Sequence, residues 1–467
     1  MKNKNLKKIE LLCPAGDLDR LKTAVVFGAD AVYCGLSDFS LRSARELNFT
    51  LETLREGIEF AHARNAKVYL TFNIFPHEWM MKDLEKEILN IKNSILNIDG
   101  FIVADLGMFS LIKKHFPDIP IHVSTQANTL NIEAIKMWGE LGAERIVLAR
   151  ELTLGEIREI SKKLKAKSYK LELEVFGHGA MCMAYSGRCL LSKYFTGREA
   201  NLGECAQPCR WRYKIKSQKS NLKNQNYGVP SGQIFIEEET RPGDLLEIQE
   251  DPNGTYFMNS KDLCVLDILD QFIESGIDSL KIEGRTKSSF YVAVVTYVYR
   301  KAIDEYYKLS QISNLKSQKY GVALRQYKKT IKELMDELNQ IQNRGYWHGF
   351  LIGRHDYQQE YDTAAIRPTV IPVGQVIEIG MHKGSTQEHG ANFLMDVMNK
   401  FKVGEELEIL TPNGIYPIKV KKIIDEKSKE LEEILKPKEK VWIEIESRIK
   451  NLESKISERS ILRRKMK

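Results

Sequence analysis

Apolar and polar positions follow two alternating periods along the first part of the chain. Short apolar runs such as IELLCPAG from Ile9, AKVYLTFN from Ala66 and KLELEVFGHG from Lys170 are typical of buried strands. Between such runs, apolar residues recur every three or four positions, which predicts helices over 18–27, 51–63, 84–95, 132–141 and 154–164. Repeated strand and helix units favour a parallel sheet with helical crossovers.

The pattern predicts eight strands, with a long interruption before the last. The eighth strand, IDSLKIEG from Ile277, leads directly into a long apolar helix. The phrases GAD, GAE and GID each place a glycine between a helix and the next strand, a tight connection. We predict an α/β fold: a (β/α)8-barrel-like catalytic domain over residues 1–327, with a cysteine-rich insertion at about 178–260. A doubly wound open sheet is the alternative.

Beyond the predicted barrel the pattern changes twice. We expect residues 328–367 to form a helical connector. From Pro368, apolar and polar residues alternate in VIPVGQVIEIG, VGEELEILTPNGIYPIKV and KVWIEIE, with PNG as a turn. This alternation predicts a small β-barrel-like C-terminal domain over 368–450. Residues 451–467 are predicted to form a basic tail, either a solvated helix end or an arm that attracts phosphate.

Composition changes this picture little. The 467 residues are 43% hydrophobic and 28% charged, as in ordinary globular proteins. A net charge of +7 over this length does not by itself indicate nucleic acid. The sequence has no apolar run of the length of a membrane span, and its basic N-terminus lacks the apolar core of a signal peptide. We therefore expect a cytoplasmic protein with no membrane partner.

Four of the seven cysteines fall within one short segment rich in Gly, Ser and Arg, where core packing gives no reason for sulfur. They are Cys182, Cys189, Cys205 and Cys209. Four thiolates can hold a tetrahedral zinc ion or an iron–sulfur cluster, and the lack of paired C-x2-C knuckles favours the cluster, with zinc as the alternative. Cys264 is an alternative to Cys209 as the fourth ligand, whereas Cys13 and Cys34 are expected to be buried strand residues.

Polar side chains at the predicted carboxyl ends of the strands form the candidate site, because that end of a barrel carries the catalytic loops. The candidate catalytic residues are Glu174, His178 and Glu283. The candidate substrate-binding residues are Gln126, Asn128, Arg150, Lys281, Arg285 and Trp211. Strand ends also hold Asp17, Asn73, Asp105 and Ser124.

Several of these assignments have a structural alternative. Arg150 and Arg285 could clamp a dicarboxylate, yet Glu283 and Arg285 could equally form a structural ion pair. The segment STQAN from Ser124 could only cap a helix. Trp211, within the basic and aromatic CRWRYK, could stack on RNA or anchor the loop.

The cysteine segment resembles a known family. EVFGHGAMCMAYSGRCLLS is similar to the signature of the collagenase-like peptidases, family thirty-two of the peptidases of unassigned mechanism. GECAQPCRWRY, GTYFMNSKDL, IDSLKIEGRTKS, NRGYWHGF and VGEELEILTPNG extend the resemblance over nearly the whole chain. The resemblance implies a barrel-like catalytic domain, a β-rich C-terminal domain and an iron–sulfur cluster, 4Fe–4S in type, on the four cysteines. It is strongest for the branch that hydroxylates carbon 5 of the wobble uridine of tRNA, with prephenate as a required metabolite.

Three other functions stay open: hydroxylation of a ribosomal RNA cytidine by a sister branch, RNA binding by a metal-stabilised module without catalysis, and peptide hydrolysis as the family name suggests. The sequence does not support a peptidase. HEWMM at His77 lacks the second histidine of a zinc protease, and AYSGR around Ser186 lacks the glycine of a nucleophile elbow. Oxidation of a pyrimidine carbon, by contrast, needs a redox cofactor, which the cysteine segment could hold.

Overall fold

The computed structural model describes residues 8–36, 49–211, 259–312, 318–353, 358–359, 365–380 and 391–466, and the backbone of four short strands between 234 and 255. Its N-terminal domain is a closed barrel of eight parallel strands. They are β1 (Glu10–Pro14), β2 (Ala31–Cys34), β3 (Lys67–Phe72), β4 (Gly100–Val103), β5 (Ile121–Val123), β6 (Arg145–Val147), β7 (Glu172–Ala180) and β8 (Ser279–Ile282). Because β8 pairs in parallel with both β1 and β7, the sheet is closed and the open-sheet alternative is wrong.

Helices lie between and after these strands along the chain. They are α1 (Leu18–Val26), α2 (Leu51–His62), α3 (Glu78–Asn93), α4 (Leu106–His115), α5 (Ile132–Glu140), α6 (Leu154–Ala166), α7 (Leu191–Thr196), α8 (Leu269–Glu274), α9 (Ser289–Ile312) and α10 (Gln318–Asn339). Most helices connect the strands and cover the outside of the barrel, whereas α7 lies in the insertion and α10 follows the last barrel helix. All five predicted helices are present, although α3 begins at Glu78 rather than at residue 84. In the described ranges, no helix combines the length and apolarity that crossing a membrane requires.

Local signals explain where these helices begin and end. Asp17 and Asp105 each accept a hydrogen bond from a backbone N–H of the first turn, of α1 and α4 respectively. The structure therefore gives these two strand-end residues a capping role. At the other end, Gly28, Gly142 and Gly276 have positive φ angles of 100°, 99° and 87°, which confirms the predicted tight connections.

The insertion between β7 and β8 begins with the cysteine segment, which carries α7 and short 3-10 turns at Ala200–Leu202 and Pro208–Arg210. Two antiparallel strand pairs follow: Ile234–Glu237 with Leu245–Ile248, and Glu250–Asp251 with Gly254–Thr255. The chain returns through Asp262–Cys264, which pairs antiparallel with the end of β7 and also with Tyr346–Trp347. Strand β7 therefore extends beyond the barrel into a second, smaller pairing.

The C-terminal domain is a second closed barrel, antiparallel and built from six main strands. They are β9 (Val370–Ile379), β10 (Ala391–Val397), β11 (Glu406–Thr411), β12 (Gly414–Asp425), β13 (Lys440–Glu446) and β14 (Ile461–Lys465). Strand β11 pairs with both β12 and β14, which closes the ring. Alternate residues such as Phe393, Met395 and Ile443 fill its separate apolar core.

Two predicted boundaries need correction. Residues 451–467 are not a basic tail, because β14 lies between β9 and β11 and completes the barrel. Ile461 and Leu462 are fully buried, and Arg463 pairs with Glu337 and Glu408. Counting charges along the tail could not reveal these distant partners. The predicted connector 328–367 also begins inside α10, which packs against α9 of the first domain.

Candidate functional site

A cavity of about 420 Å³ lies at the carboxyl ends of the barrel strands. Strand ends and the loops that follow them supply its floor: Tyr33, Thr71, Asn73, Ser124, Thr125, Gln126, Arg150, Phe176, Lys281, Glu283 and Arg285. The cysteine segment supplies its roof, including Cys182, Cys189, Cys205 and Cys209. The fold thus brings all four cysteines and most of the predicted binding residues to one cavity. Tyr33, Thr71 and Phe176 were missed, although the period of two in their strands could have identified them as inward-facing.

The four cysteines form an open set around this cavity, and none of the seven cysteines is in a disulfide. Among the described residues, no three His, Cys, Asp or Glu side chains converge closely enough to hold a single metal ion. A tetrahedral zinc ion requires sulfur atoms about 2.3 Å from one point, whereas a multi-iron cluster spreads its thiolates over a larger volume. The four thiols share one cavity, and this donor set is chemically suited to an iron–sulfur cluster or to zinc.

The alternative ligand Cys264 lies outside the cavity lining. It is buried, with its Sγ 3.6 Å from the hydroxyl oxygen of Tyr299, and burial raises the pKa of its thiol to about 12. Burial also raises the pKa of the Cys209 thiol, but the guanidinium of Arg210 opposes that shift. The geometry favours Cys209 as the fourth ligand. Cys13 and Cys34 are buried strand residues, as predicted.

Three predicted cations line the floor of the cavity. The Arg150 guanidinium lies over the Phe176 ring at 3.9 Å, donates to the Ala180 carbonyl oxygen at 2.8 Å and stands 3.5 Å from the Glu283 carboxylate. Arg285 reaches the Thr71 hydroxyl at 3.4 Å. Among the described residues, the lining holds five cations, which include Lys281, Arg198 and Arg210, and two carboxylates, Glu204 and Glu283. On the floor itself, Arg150, Lys281 and Arg285 outnumber the one carboxylate, Glu283, and this local excess of positive charge suits an anionic ligand.

Glu174, a predicted catalytic residue, lies beneath the cavity and does not line it. Its carboxylate is fully buried, accepts a hydrogen bond from Lys281 Nζ at 2.8 Å and is 3.1 Å from Arg145. Arg145 in turn pairs with Glu10 at 2.5 Å. Glu174 therefore cannot touch a ligand in the cavity, and the structure gives it the role of positioning the Lys281 ammonium group.

His178 is also outside the cavity, because β7 contains a bulge. Phe176 pairs with Lys281 but His178 pairs with the next residue, Ile282, so Gly177 is an extra residue in β7. One extra residue reverses the faces of the strand beyond it. Phe176 and Lys281 therefore face the cavity, whereas His178 points outwards. The only sequence signal for this reversal is Gly177 itself, because a glycine inside a strand often marks a bulge.

Outside the barrel wall, His178 is 1% exposed and lies among aromatic rings. Its Nδ1 is 3.4 Å from the Tyr299 hydroxyl, and its Nε2 has no hydrogen-bond partner within the described part of the chain. Burial lowers the pKa of His178 to about 4, and the Asp262 carboxylate only partly opposes that shift. The imidazole is therefore neutral at physiological pH.

We expect His178 to make the protein less stable in mild acid. Below its ordinary pKa of 6.5 the unfolded imidazole binds a proton, but the folded one does not until about pH 4. Stability should therefore fall as the pH drops from 6.5 to 4, by at most roughly 3 kcal/mol from this residue. Urea unfolding of the wild type and His178→Gln at pH 7 and pH 4.5 measures the effect. An equal loss of stability in the two proteins would contradict it.

The remaining predicted binding residues divide into two groups. Gln126 lines the cavity, and its buried Oε1, like Oδ1 of Asn73, has no hydrogen-bond partner among the described residues. Both oxygens are buried acceptors, unsatisfied within the described ranges, on residues that line the cavity. Asn128 adopts a left-handed conformation, donates to the Gln126 carbonyl oxygen and does not line the cavity. Trp211 donates to the Ala206 carbonyl oxygen at 3.1 Å and is likewise outside the lining.

A barrel with a polar cavity at the carboxyl ends of its strands has the architecture of an enzyme. The chain belongs to Peptidase family U32: residues 16–361 match that family, and residues 377–463 match the Peptidase family U32 C-terminal domain. The second match extends into β14, in agreement with the corrected domain boundary.

Curated relatives cover most of the chain. It is 38% identical to tRNA hydroxylation protein P of Escherichia coli (strain K12), over 87% of each chain. It is 36% identical to tRNA hydroxylation protein P1 of Bacillus subtilis (strain 168), over 95% of this chain and 93% of the relative. The 23S rRNA 5-hydroxycytidine C2501 synthase of Escherichia coli (strain K12) is 33% identical over 64% of this chain and 39% of its own length.

Proposed function

We propose that this chain is a tRNA hydroxylase that adds a hydroxyl group to carbon 5 of the wobble uridine. Two relatives named for tRNA hydroxylation are 38% and 36% identical to it, over 87% and 95% of this chain. The observation that carries the proposal is the single cavity in which four cysteines face a group of cations and unpartnered amide oxygens. These are the elements that a redox reaction on a bound base needs.

We assign an iron–sulfur cluster, 4Fe–4S in type, to Cys182, Cys189, Cys205 and Cys209, with zinc as the alternative. When bound, the cluster supplies redox chemistry that protein side chains lack. The thiols sit in the roof of the cavity, opposite the strand ends of its floor, so a base on the floor would face the cluster. Arg198 and Arg210 in the same lining would offset the negative charge of the thiolates.

We assign prephenate, a small dicarboxylate, to the cations of the floor. Arg150 is held by Phe176 and the Ala180 carbonyl oxygen, so its guanidinium is oriented before a ligand arrives. Glu174 fixes the Lys281 ammonium in the same way. Oriented cations bind carboxylates with little loss of side-chain entropy, and an arginine can bind one bidentately.

The amide oxygens of Gln126 and Asn73 are suited to recognise the base. The edge of uracil carries one N–H donor, and a buried acceptor without a partner gains a hydrogen bond by receiving it. Reaching this depth requires the nucleotide to leave its stack, as enzymes that modify bases demand. Cytosine offers an amine at the same edge, so ribosomal RNA cytidine is the second candidate substrate, supported by the rRNA-modifying relative.

Peptide hydrolysis finds no support at this site. Within the described part of the chain, no histidine lines the cavity beside its serines and cysteines, so the Ser–His or Cys–His pair of common peptidases is not seen there. An RNA-binding module without catalysis would not explain four cysteines that face a cation-rich cavity.

Nucleoside profiles by mass spectrometry test the proposal. The host should carry no other member of this family, and both tRNA and ribosomal RNA should be analysed from the gene deletion and from the complemented strain. We expect 5-hydroxyuridine and its derivatives to disappear from tRNA in the deletion and to return on complementation. Loss of a hydroxylated cytidine from ribosomal RNA instead would support the second candidate. Unchanged profiles in both RNAs would contradict hydroxylation.

A further inference from the structure

Exposed aromatic side chains are concentrated on and beside the cysteine segment, which contributes to the cavity lining. Seven aromatic residues are exposed in the described ranges, and two of them, Tyr169 and Tyr320, lie elsewhere. The other five lie on the cysteine segment or beside it: Trp79, Tyr185, Tyr194, Phe195 and Trp211. Tyr194 is 83% exposed and Trp79 is 72% exposed, the largest values among the seven. Large aromatic rings left in water in one place indicate a binding surface.

One ionic group joins the two sides of this surface. The Glu199 carboxylate is 2.6 Å from Lys193 Nζ, next to Tyr194, and 3.8 Å from His77 Nε2. The His77 ring stacks with the Trp79 ring, with centroids 6.3 Å apart. The start of α3 and the cysteine segment therefore form one edge, and we call Trp79, Tyr194, Phe195 and Trp211 the aromatic rim.

Within the aromatic rim, some rings support others. Trp211 is anchored by its hydrogen bond to the Ala206 carbonyl oxygen and lies 6.0 Å from Phe195. Phe195 in turn meets Tyr194 edge to face at 5.2 Å. Trp211, the predicted RNA-stacking residue, is thus an anchor, and Tyr194 and Trp79 offer the most open ring faces.

The charges between these rings indicate the partner. Segment 188–211 carries four basic and two acidic residues. Its Arg188 and Arg198 are exposed, and the Arg188 guanidinium lies 5.0 Å from the Phe75 ring. Aromatic faces interleaved with arginines are the surface that proteins use for unpaired RNA, because every base can stack and every phosphate is anionic.

We propose that the aromatic rim stacks the unpaired bases that flank the target nucleotide of an RNA loop. This inference rests on the proposed function and adds the residues that hold the substrate. A nucleotide that enters the cavity leaves its neighbours partly unstacked, and the open faces of Tyr194 and Trp79 replace that lost stacking. The rim thereby favours a loop over a duplex as the substrate.

Binding of a fluorescent RNA stem–loop, with uridine at the wobble position of an anticodon loop, tests this inference. Tyr194→Ala and Trp79→Ala should each weaken binding about tenfold, as expected for the loss of one stacked base. Tyr194→Phe keeps the ring, and Tyr169→Ala removes an exposed aromatic residue remote from the cavity, so both should bind as the wild type does. A fully paired RNA of the same length should bind all the proteins equally.

The results of this binding experiment test the aromatic rim separately from the proposed hydroxylation. Wild-type affinity for the stem–loop in both alanine variants would overturn the rim while leaving hydroxylation untouched. An equal loss of affinity for the duplex would show a general electrostatic effect and would also overturn stacking. A wild type that prefers the duplex would overturn the rim as an RNA surface. The nucleoside profile of the deletion strain tests hydroxylation independently of all these results.

Discussion

Alanine in place of Cys182, Cys189, Cys205 or Cys209 should abolish iron binding and RNA hydroxylation together. All four thiols line one cavity, and a cluster that loses one of four thiolate ligands loses both its anchor and its geometry. Iron and acid-labile sulfide in protein purified without oxygen measure the first effect. The tRNA nucleosides of the complemented deletion strain measure the second.

Cys264→Ala is the matched control for this experiment. Cys264 is buried beside Tyr299 and does not line the cavity, so the variant should retain iron and hydroxylation. If Cys264→Ala lost iron and Cys209→Ala retained it, Cys264 would be the fourth ligand in place of Cys209. Wild-type iron and sulfide in Cys182→Ala would contradict the cluster assignment, and stoichiometric zinc in the wild type would support the alternative metal.

The second large effect concerns Arg463, whose side chain is 2% exposed. Arg463→Met should destabilise the protein by about 3–5 kcal/mol, because it leaves the buried carboxylate of Glu337 without its partner. The same change also removes the contact with Glu408 of β11. Because Arg463 lies on β14, which closes the C-terminal barrel, unfolding of that domain in denaturant should show the loss.

Arg464→Met provides the comparison. Arg464 is the next residue in β14, its side chain is 25% exposed, and its guanidinium pairs with the Glu405 carboxylate at 2.5 Å. This pair is partly exposed to water, and loss of an ion pair near the surface costs less than loss of a fully buried one, typically about 0–1 kcal/mol. Replacing both Arg463 and Glu337 by methionine should recover much of the stability that the single change loses, because no buried charge is then left alone. Equal destabilisation by Arg463→Met and Arg464→Met would contradict this account.

The barrel was predictable because its strands and helices carry different hydrophobic periods. In β1 to β8, apolar residues alternate with polar ones or form a continuous apolar run. In the covering helices, apolar residues recur every three or four positions. The carboxyl ends of parallel strands must share one face, so Arg150, Lys281, Glu283 and Arg285 were correctly placed near one another. The four cysteines of the polar segment stood out as candidate site residues because sulfur in a polar loop has no packing role, and the structure brings them to one cavity.

The errors arose where one residue or one distant partner decides the outcome. The bulge at Gly177 turns His178 out of the cavity, and a glycine inside the strand was its only signal. Glu174 faces the barrel interior as its strand position suggests, but Arg145 and Lys281 hold it below the cavity. The basic residues of β14 looked solvated because their acidic partners lie far away in the chain.

The aromatic rim could not be predicted from the sequence for a different reason. Aromatic residues in a sequence are more often packed than exposed, so Tyr194 and Trp79 carried no signal of their own. Only the folded cysteine segment and the start of α3 bring them to the same edge through Glu199. Trp211, which the sequence singled out, is instead fixed by its hydrogen bond to the Ala206 carbonyl oxygen.

We propose that one cavity serves both a cysteine-bound cofactor and an anionic ligand in RNA hydroxylation. Arg285→Met separates the two roles, because Arg285 lines the same cavity as the four cysteines but is not one of the proposed cofactor ligands. The measurement is the 5-hydroxyuridine content of tRNA in the deletion strain that expresses this variant, with the iron content of the purified variant determined in parallel. We predict iron at the wild-type level and hydroxylation lost. Hydroxylation at the wild-type level would contradict the claim.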